Sequence, residues 1–440
     1  MTSYWCEHAQ LPDKVHRGVR VAVTDGRITE VTPGTQQRDD DVRLRGLVLP
    51  GFANAHSHAF HRMLRGRTHG AGGNFWTWRQ QMYAVTAQLD PDTSFALARG
   101  VFTEMLAAGY TVVGEFHYLH HGPGGQRYAN PNAMGEALTA AAEEAGIRLT
   151  LLDACYLSGG LSSSGHLPLD EVQTRFSDGS VQAWAERVEA LRDTDLLRIG
   201  AAAHSVRALT RDQLAELATV VGDRPVHAHV SEQIGENLTT EMVYGASPVE
   251  HLADTGLLGQ GFTAVHATHL SDIDLELMGR SGASACFCPT TERDLADGIG
   301  PGCELAAEGV SLSLGSDQQA VIDPFEEMRG IEMHERLKSH ERGRFPTAEL
   351  LEMGTTAGYA SLGWDGGRIA VGALGDLVAV RTDSRRTSGV ALSQIIFGAT
   401  GADVTDVVVG GRRVVSGGVH DLGPVDDVVA ESILAVRSST

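Results

Sequence analysis

Lysine is almost missing from this 440-residue chain: Lys14 and Lys338 are the only two, and arginine supplies the other basic side chains. Acidic residues outnumber basic ones by 56 to 35, which gives a formal net charge of −21. A chain this acidic repels polyanions, so neither nucleic acid nor an anionic membrane is expected as its partner. A negatively charged small substrate would need dedicated arginines inside its pocket.

Cysteine is scarce and long hydrophobic runs are absent. The five cysteines are odd in number and scattered, which does not suit a disulfide framework and indicates free thiols in a reducing cytosol. No apolar run reaches the ~18 residues needed to cross a bilayer. The opening residues, MTSYWCEHAQLPDK, lack the basic head and apolar stretch of a signal peptide. We therefore expect a cytoplasmic protein.

Strands and helices alternate through the middle of the chain, which at 42% hydrophobic residues can build a substantial core. The strand-like runs are residues 47–49, 111–116 and 148–154, and five runs that end near Ala203, Val226, Val265, Phe287 and Gly315. Most are followed by a helical pattern. Eight such units predict an α/β fold, a (β/α)₈ TIM-like barrel whose chemistry lies at the carboxyl ends of its strands.

The two ends of the chain carry β-hairpin signals. Residues 19–31 alternate apolar side chains around Asp25-Gly26, and residues 406–416 do so around Gly410-Gly411. We predict one small β-sandwich made of residues 1–49 and 367–440, flanking a barrel of residues 50–366. Two unrelated edge hairpins are the alternative.

Histidines and carboxylates stand where the predicted barrel strands end. His56 and His58 are two residues apart, so in an extended segment both imidazoles face the same side. Later strand ends supply His227, His229 and Glu232, then His266 and His269, and finally Asp317. Taken alone, any one of these residues is more often an ordinary surface or core residue than a metal ligand. Two histidines of strand one, one of strand five and the aspartate of strand eight could together bind a divalent metal and leave a position for water.

The runs LPGFANAHSHAFHR, HAHVSE, VHATHL and LGSD resemble signatures of the amidohydrolase superfamily, in its aminohydrolase (deaminase) branch. The resemblance covers nearly the whole chain. It implies one divalent metal ion, with zinc expected over iron or manganese, and the ligands His56, His58, His229 and Asp317. Some members hold two metals bridged by a carboxylated lysine on strand four. Here that strand reads LRIGAAAHS, without lysine, so one metal is expected.

The same resemblance implies roles for the residues beside the metal. Glu232 would shuttle protons, and His266 would orient and polarise the reacting group, with Asp317 helping to hold the nucleophile in line. His227 and His269 are then expected to be structural residues.

Three further runs, FWTWRQQMY, GEFHYLHH and AAHSVRAL, are similar to those of the formimidoylglutamate deiminases within that branch. This implies hydrolysis of N-formimidoyl-L-glutamate to N-formyl-L-glutamate and ammonia, a step of histidine breakdown. The substrate carries two carboxylates, and Arg79 and Arg207 would each offer one of them a planar donor fork. Tyr118 and His204 would add hydrogen bonds. Either arginine could instead form a surface salt bridge.

The chain departs from that family at two places. His61 stands where the family usually has a glutamine that contacts substrate, and Gln318-Gln319 stand where it tends to read Ser-His. A related substrate therefore stays open: a purine, pterin or triazine ring, or another N-formimino amino acid. A scaffold that has lost its chemistry would lack a ligand or the shuttle, and none is missing here. A homodimer is expected, as the commonest assembly of soluble enzymes.

Overall fold

The computed structural model describes residues 1–69 and 75–437. Its strands are β1 (Thr2–Gln10), β2 (Val15–Thr24), β3 (Arg27–Thr32), β4 (Val42–Pro50), β5 (Phe52–Ser57), β6 (Tyr110–His117), β7 (Arg148–Cys155), β8 (Gly160–Ser162), β9 (Gly165–Leu167), β10 (Leu197–Ser205), β11 (Val226–Val230), β12 (Phe262–His266), β13 (Ser284–Phe287), β14 (Ser311–Leu314), β15 (Leu377–Val380), β16 (Val404–Val409), β17 (Arg412–Ser416) and β18 (Val419–His420).

The helices lie mainly between the strands of the middle segment. They are α1 (Phe75–Thr86), α2 (Pro91–Ala108), α3 (Ala133–Ala145), α4 (Val181–Val188), α5 (Arg211–Val220), α6 (Ile234–Tyr244), α7 (Pro248–Asp254), α8 (Asp272–Ser281), α9 (Pro289–Leu295), α10 (Gly302–Ala307), α11 (Pro324–Ser339), α12 (Thr347–Glu352), α13 (Gly358–Ser361) and α14 (Val425–Arg437). Among the described residues, no helix is long and apolar enough to cross a membrane.

Eight parallel strands form the barrel, in the order β5, β6, β7, β10, β11, β12, β13, β14. Their residues are almost all buried, as expected for parallel strands covered by helices. The predicted (β/α)₈ barrel is confirmed.

The barrel closes where its first strand meets its last. The N–H of His58 donates to the carbonyl of Asp317, and the N–H of Asp317 donates to the carbonyl of His56, each at 3.0 Å. A Cβ at Gly315 would lie 2.7 Å from the His56 carbonyl oxygen, so glycine is needed for the two strands to approach this closely. Three predicted metal ligands thus lie directly on the closing seam.

One strand differs from its prediction. Residues 47–49 do not open the barrel: they end β4, which pairs with β1 and β15 in the terminal sheet. Gly51 alone then separates β4 from β5 (Phe52–Ser57), the true first barrel strand. Both strands are buried throughout this stretch. Hydrophobicity alone therefore could not decide which of them belongs to the barrel.

Both chain ends build one eight-stranded mixed sheet, in the order β18, β17, β16, β15, β4, β1, β2, β3. The two predicted hairpins are present as β2–β3 and β16–β17. Their strands join a single hydrogen-bonded sheet, so the alternative of unrelated hairpins is wrong. The C-terminal helix α14 packs against the barrel helix α2. The domain boundaries after residues 49 and 366 stay a prediction.

Candidate active site and metal centre

The four predicted metal ligands converge at the carboxyl ends of β5, β11 and β14. Ligand atoms of His56, His58 and His229 lie within 4.8 Å of one another. The Nε2 atoms of His56 and His58 are each 3.4 Å from Oδ1 of Asp317. All four side chains are buried. Three imidazoles and one carboxylate around a common point are a donor set that suits zinc.

Hydrogen bonds outside the cluster orient two of these imidazoles. Nδ1 of His58 lies 2.8 Å from the carbonyl of Phe116, and Nδ1 of His229 lies 2.9 Å from the carbonyl of His204. A carbonyl can only accept, so each Nδ1 carries the proton and each Nε2 offers a lone pair to the cluster. Burial lowers the pKa of both histidines well below the usual range, which favours the neutral form that binds metals.

His56 provides the test of whether a metal fits. Its ring is fully buried, and within the described chain neither ring nitrogen has a hydrogen-bond partner. Buried polar atoms without partners are rare in folded proteins. Because His56 lies among two other imidazoles and a carboxylate, a divalent cation would satisfy its lone pair. The residues present therefore fit one metal ion.

Glu232 lies beside this cluster, after β11. Its Oε1 is 3.8 Å from Nε2 of His266, and its Oε2 is 3.8 Å from Nη2 of Arg207. Burial raises the pKa of the Glu232 carboxyl, although the charges of His266 and Arg207 oppose that shift. A raised pKa makes the carboxylate a stronger base, which suits a group that accepts a proton and later returns it.

His266 ends β12 with its backbone in the left-handed region, at a φ of 68°. Nε2 lies 4.0 Å from Oδ2 of Asp317, in addition to its contact with Glu232. Burial by itself would lower the pKa of His266, but the neighbouring carboxylates of Glu232, Glu292 and Asp317 raise it to about 10. Asp317 also has a positive φ, of 42°. Strained residues at the ends of barrel strands, beside a cavity, are typical of functional sites.

A cavity of about 160 Å³ opens above the cluster. That space holds several water molecules or a small organic substrate. Except for His56, which lies beneath it, all the predicted site residues line this cavity: His58, His61, Arg79, Tyr118, His204, Arg207, His229, Glu232, His266 and Asp317.

His61 is hydrogen-bonded to the hydroxyl of Tyr118, at 3.1 Å from Nε2. Burial lowers the pKa of His61 to about 3, so the ring is neutral at physiological pH. A neutral imidazole can donate or accept a hydrogen bond without adding charge, much as a glutamine amide does. Histidine in place of glutamine at position 61 therefore adds no charge to the cavity.

The two arginines approach the cavity from different elements. Arg79, on α1, donates from Nε to the hydroxyl of Tyr83 at 2.7 Å. Arg207 follows β10 and has two carboxylates nearby, Glu232 and, at 3.7 Å from its Nε, Glu236. Both guanidiniums line the same cavity.

Sequence analysis missed several residues of this region. Tyr83 and Tyr156 line the cavity, and Glu236 and Glu292 are buried directly behind it. Glu236 lies only four residues beyond Glu232, in the first turn of α6, and this closeness in sequence could have indicated it. No sequence signal links Tyr156 or Glu292 to the site, because they come from separate strand ends.

Comparisons with known proteins agree with this geometry. The family model described as the amidohydrolase family matches residues 47–414. The chain belongs to the amidohydrolase family. As a member of it, the protein is a hydrolase that acts on carbon–nitrogen bonds.

Individual relatives of this amidohydrolase differ in their substrates. Formimidoylglutamate deiminase of Pseudomonas aeruginosa is 36% identical over 439 residues, which cover 96% of both proteins. 5-Methylthioadenosine/S-adenosylhomocysteine deaminase of Natronomonas pharaonis is 29% identical over 376 residues, covering 84% of this chain and 81% of that protein. The crystal structure of an amidohydrolase from Brucella melitensis has a TM-score of 0.92 and 32% identity, with both chains covered completely.

Proposed function

We propose that this amidohydrolase hydrolyses N-formimidoyl-L-glutamate to N-formyl-L-glutamate and ammonia. The observation that carries the proposal is the presence of both Arg79 and Arg207 in the wall of one cavity above the metal cluster. The protein is acidic overall, so two arginines at one small cavity need a local reason. A substrate with two carboxylates supplies that reason. The 36% identical deiminase supports the same choice.

The ligands of the proposed zinc ion are His56, His58, His229 and Asp317. When bound, such an ion lowers the pKa of a water ligand to about 7, which makes a nucleophile available at neutral pH. The remaining chemistry belongs to side chains of this chain, which hold the substrate and move protons.

Arg79 and Arg207 bind the two carboxylates and so bring the formimino carbon towards the cluster. Water adds to that carbon while Glu232 accepts a proton from it. His266 holds the terminal nitrogen of the formimino group through Nε2. Glu232 then returns this proton to the terminal nitrogen and relays the hydroxyl proton of the adduct to it as well. The carbon–nitrogen bond breaks as the carbonyl forms, so ammonia leaves and a formyl amide remains. Atoms balance, because one water is consumed and one ammonia is released.

A purine-type deaminase is the second candidate. Tyr118, Tyr156 and Phe176 line the same cavity and offer aromatic faces on which a purine ring could stack. The 29% identical relative is named for deamination of 5-methylthioadenosine and S-adenosylhomocysteine. The two arginines favour the dicarboxylate over this candidate, because an uncharged ring offers neither guanidinium a carboxylate to bind.

Ammonia release from a substrate panel tests the proposal on the zinc-loaded protein. The panel comprises N-formimidoyl-L-glutamate, N-formimidoyl-L-aspartate, guanine and S-adenosylhomocysteine. We expect the first to have the highest kcat/KM, and Glu232→Gln to lower its turnover by about 10²–10⁴-fold while zinc is retained. A higher kcat/KM for S-adenosylhomocysteine or guanine would instead support the purine-type function.

The assembly and location are also proposals. We infer a cytoplasmic homodimer with a small dicarboxylate as its ligand and without nucleic acid or membrane as partner. Light scattering coupled to gel filtration tests the dimer, which requires a mass twice the 46.8 kDa of one chain.

A further inference from the structure

Glu292 lies behind His266 and does not line the cavity. It belongs to the first turn of α9, directly after the barrel strand β13, and is 2% exposed. Its Oε1 accepts a hydrogen bond from the N–H of Cys288 at 2.7 Å. The same oxygen lies 3.5 Å from Nδ1 of His266. The carboxyl group is thus anchored by the backbone on one side and faces an imidazole nitrogen on the other.

The two nitrogens of His266 face different surroundings. Nε2 faces Glu232 at 3.8 Å and Asp317 at 4.0 Å, on the side of the reacting group. Nδ1 is buried and has no hydrogen-bond partner that meets ordinary geometry within the described residues, and Oε1 of Glu292 faces it at 3.5 Å. A carboxylate can only accept a hydrogen bond from Nδ1, so it favours the ring form in which Nδ1 carries a proton.

We propose that Glu292 is a positioning residue that holds the ring of His266 from its Nδ1 side, so that Nε2 faces the substrate. A carboxylate that orients a catalytic histidine in this way keeps the ring angle constant through a reaction. This inference rests on the role proposed for His266 in hydrolysis.

A double-mutant cycle on the zinc-loaded enzyme tests whether Glu292 acts through His266. Glu292→Gln keeps the shape of the side chain and removes its charge. We expect kcat to fall by about 10–100-fold with KM changed less than about threefold. In a His266→Asn background the same substitution should lower kcat no further. Equal losses in both backgrounds would overturn the proposal, since a purely structural effect would add to the loss of His266.

Glu327→Gln is the matched control. Glu327 is equally buried and accepts a hydrogen bond from the N–H of Thr290 at 3.0 Å, also in the first turn of α9. Its partner is Thr290, not His266. We expect kcat close to that of the parent enzyme. A loss as large as that of Glu292→Gln would show that any buried charge near α9 has this effect, and would overturn the proposal.

A second measurement needs no substrate. In ¹⁵N-histidine-labelled, zinc-loaded parent protein, the signals that disappear in His266→Asn belong to His266. We expect a protonated Nδ1 in the parent protein, and an Nδ1 signal at a different chemical shift in Glu292→Gln. An unprotonated Nδ1 in the parent protein would overturn the inference. If Nδ1 is protonated but no substrate of the panel is turned over, the proposed function fails while the positioning role of Glu292 stands.

Discussion

Two buried clusters of this protein contain the same residue types, yet they differ in what they leave unsatisfied. The metal cluster consists of His56, His58, His229 and Asp317. The second, here called the Arg187 cluster, consists of His117, His120, Asp153, Asp178 and Arg187. Ligand atoms of His117, His120 and Asp153 also lie within 4.8 Å of one another, so distance alone makes both clusters candidates for a metal.

Arg187 already supplies the cation in its own cluster. Its guanidinium donates to both oxygens of Asp153 at 2.7 and 2.8 Å and to Asp178 at 2.9 and 3.0 Å. His120 bonds the carbonyl of Ala154 through Nε2, at 2.9 Å, and faces His117 through Nδ1. In the metal cluster, by contrast, neither nitrogen of His56 has a hydrogen-bond partner within the described residues. The comparison teaches that a buried ring nitrogen without a hydrogen-bond partner is better evidence for a metal site than the residue types around it.

His56→Asn should have the largest effect, because it removes a ligand that no protein group replaces. We expect the metal content to fall from one ion per chain towards zero, and turnover to fall at least ~10³-fold. His120→Asn is the counterpart in the Arg187 cluster and should keep a full equivalent of metal. Elemental analysis and ammonia release measure both. Full metal occupancy in His56→Asn would break the comparison.

Arg187→Met should cost stability, with turnover maintained. It leaves Asp153 and Asp178 buried without their cation, and breaking a buried ion pair in this way costs about 3–5 kcal/mol. Urea unfolding of the metal-free protein measures the loss. Turnover per folded, zinc-loaded enzyme should stay within about twofold, since the cluster is separate from the cavity. Loss of metal from this variant at constant stability would contradict the division between the two clusters.

Arg207→Met extends the comparison to two arginines, Arg187 and Arg207, each of which has two carboxylates nearby. Arg187 holds its carboxylates at hydrogen-bond distance, whereas Arg207 lies 3.7–3.8 Å from Glu236 and Glu232. We expect the loss of one charge-assisted hydrogen bond to substrate, worth about 1.5–3 kcal/mol, and hence kcat/KM about 10–100-fold lower. Arg211→Met removes an exposed arginine paired with Asp254 and should leave kcat/KM unchanged. Equal profiles for the two variants would exclude carboxylate binding by Arg207.

Acid should destabilise the folded protein through one histidine in or beside each cluster. The two losses of stability should be similar, and smaller than the effects of the substitutions above. Burial lowers the pKa of His61, beside the metal cluster, and of His117, in the Arg187 cluster, to about 3. Between that value and the ordinary pKa of about 6.5, the unfolded chain carries a proton that the folded chain lacks. Stability therefore falls as pH decreases from 6.5, by up to about 1.4 kcal/mol per pH unit for each histidine.

Glutamine variants test this pH dependence. His61→Gln and His117→Gln should each reduce the slope of unfolding free energy against pH, measured for the metal-free protein between pH 7.5 and 5.5. Unchanged slopes in both variants would show that these rings are protonated in the folded protein.

The barrel could be predicted from sequence because the alternation of strands and helices is a local pattern. The metal ligands could be predicted because each lies in a short motif at a strand end, and a barrel brings its strand ends together even when, like His56 and Asp317, they are far apart in sequence. The prediction of residues 47–49 as the first barrel strand was wrong, and the first barrel strand is Phe52–Ser57. Local patterns could not separate the two, because two buried strands follow each other there. Glu292 and the Arg187 cluster could not be predicted, because their partners are far apart in sequence and polar residues carry no periodic signal when buried.

The seam at which β5 meets β14 has a consequence for biosynthesis. The metal ligands there are separated by some 260 residues of chain, so a polypeptide still emerging from the ribosome holds His56 and His58 long before Asp317 exists. Metal binding with all four ligands therefore requires a complete barrel. A product truncated before β14 lacks both the closing strand and the ligand Asp317. Cells that retain only the zinc-loaded form would discard such fragments without a separate check.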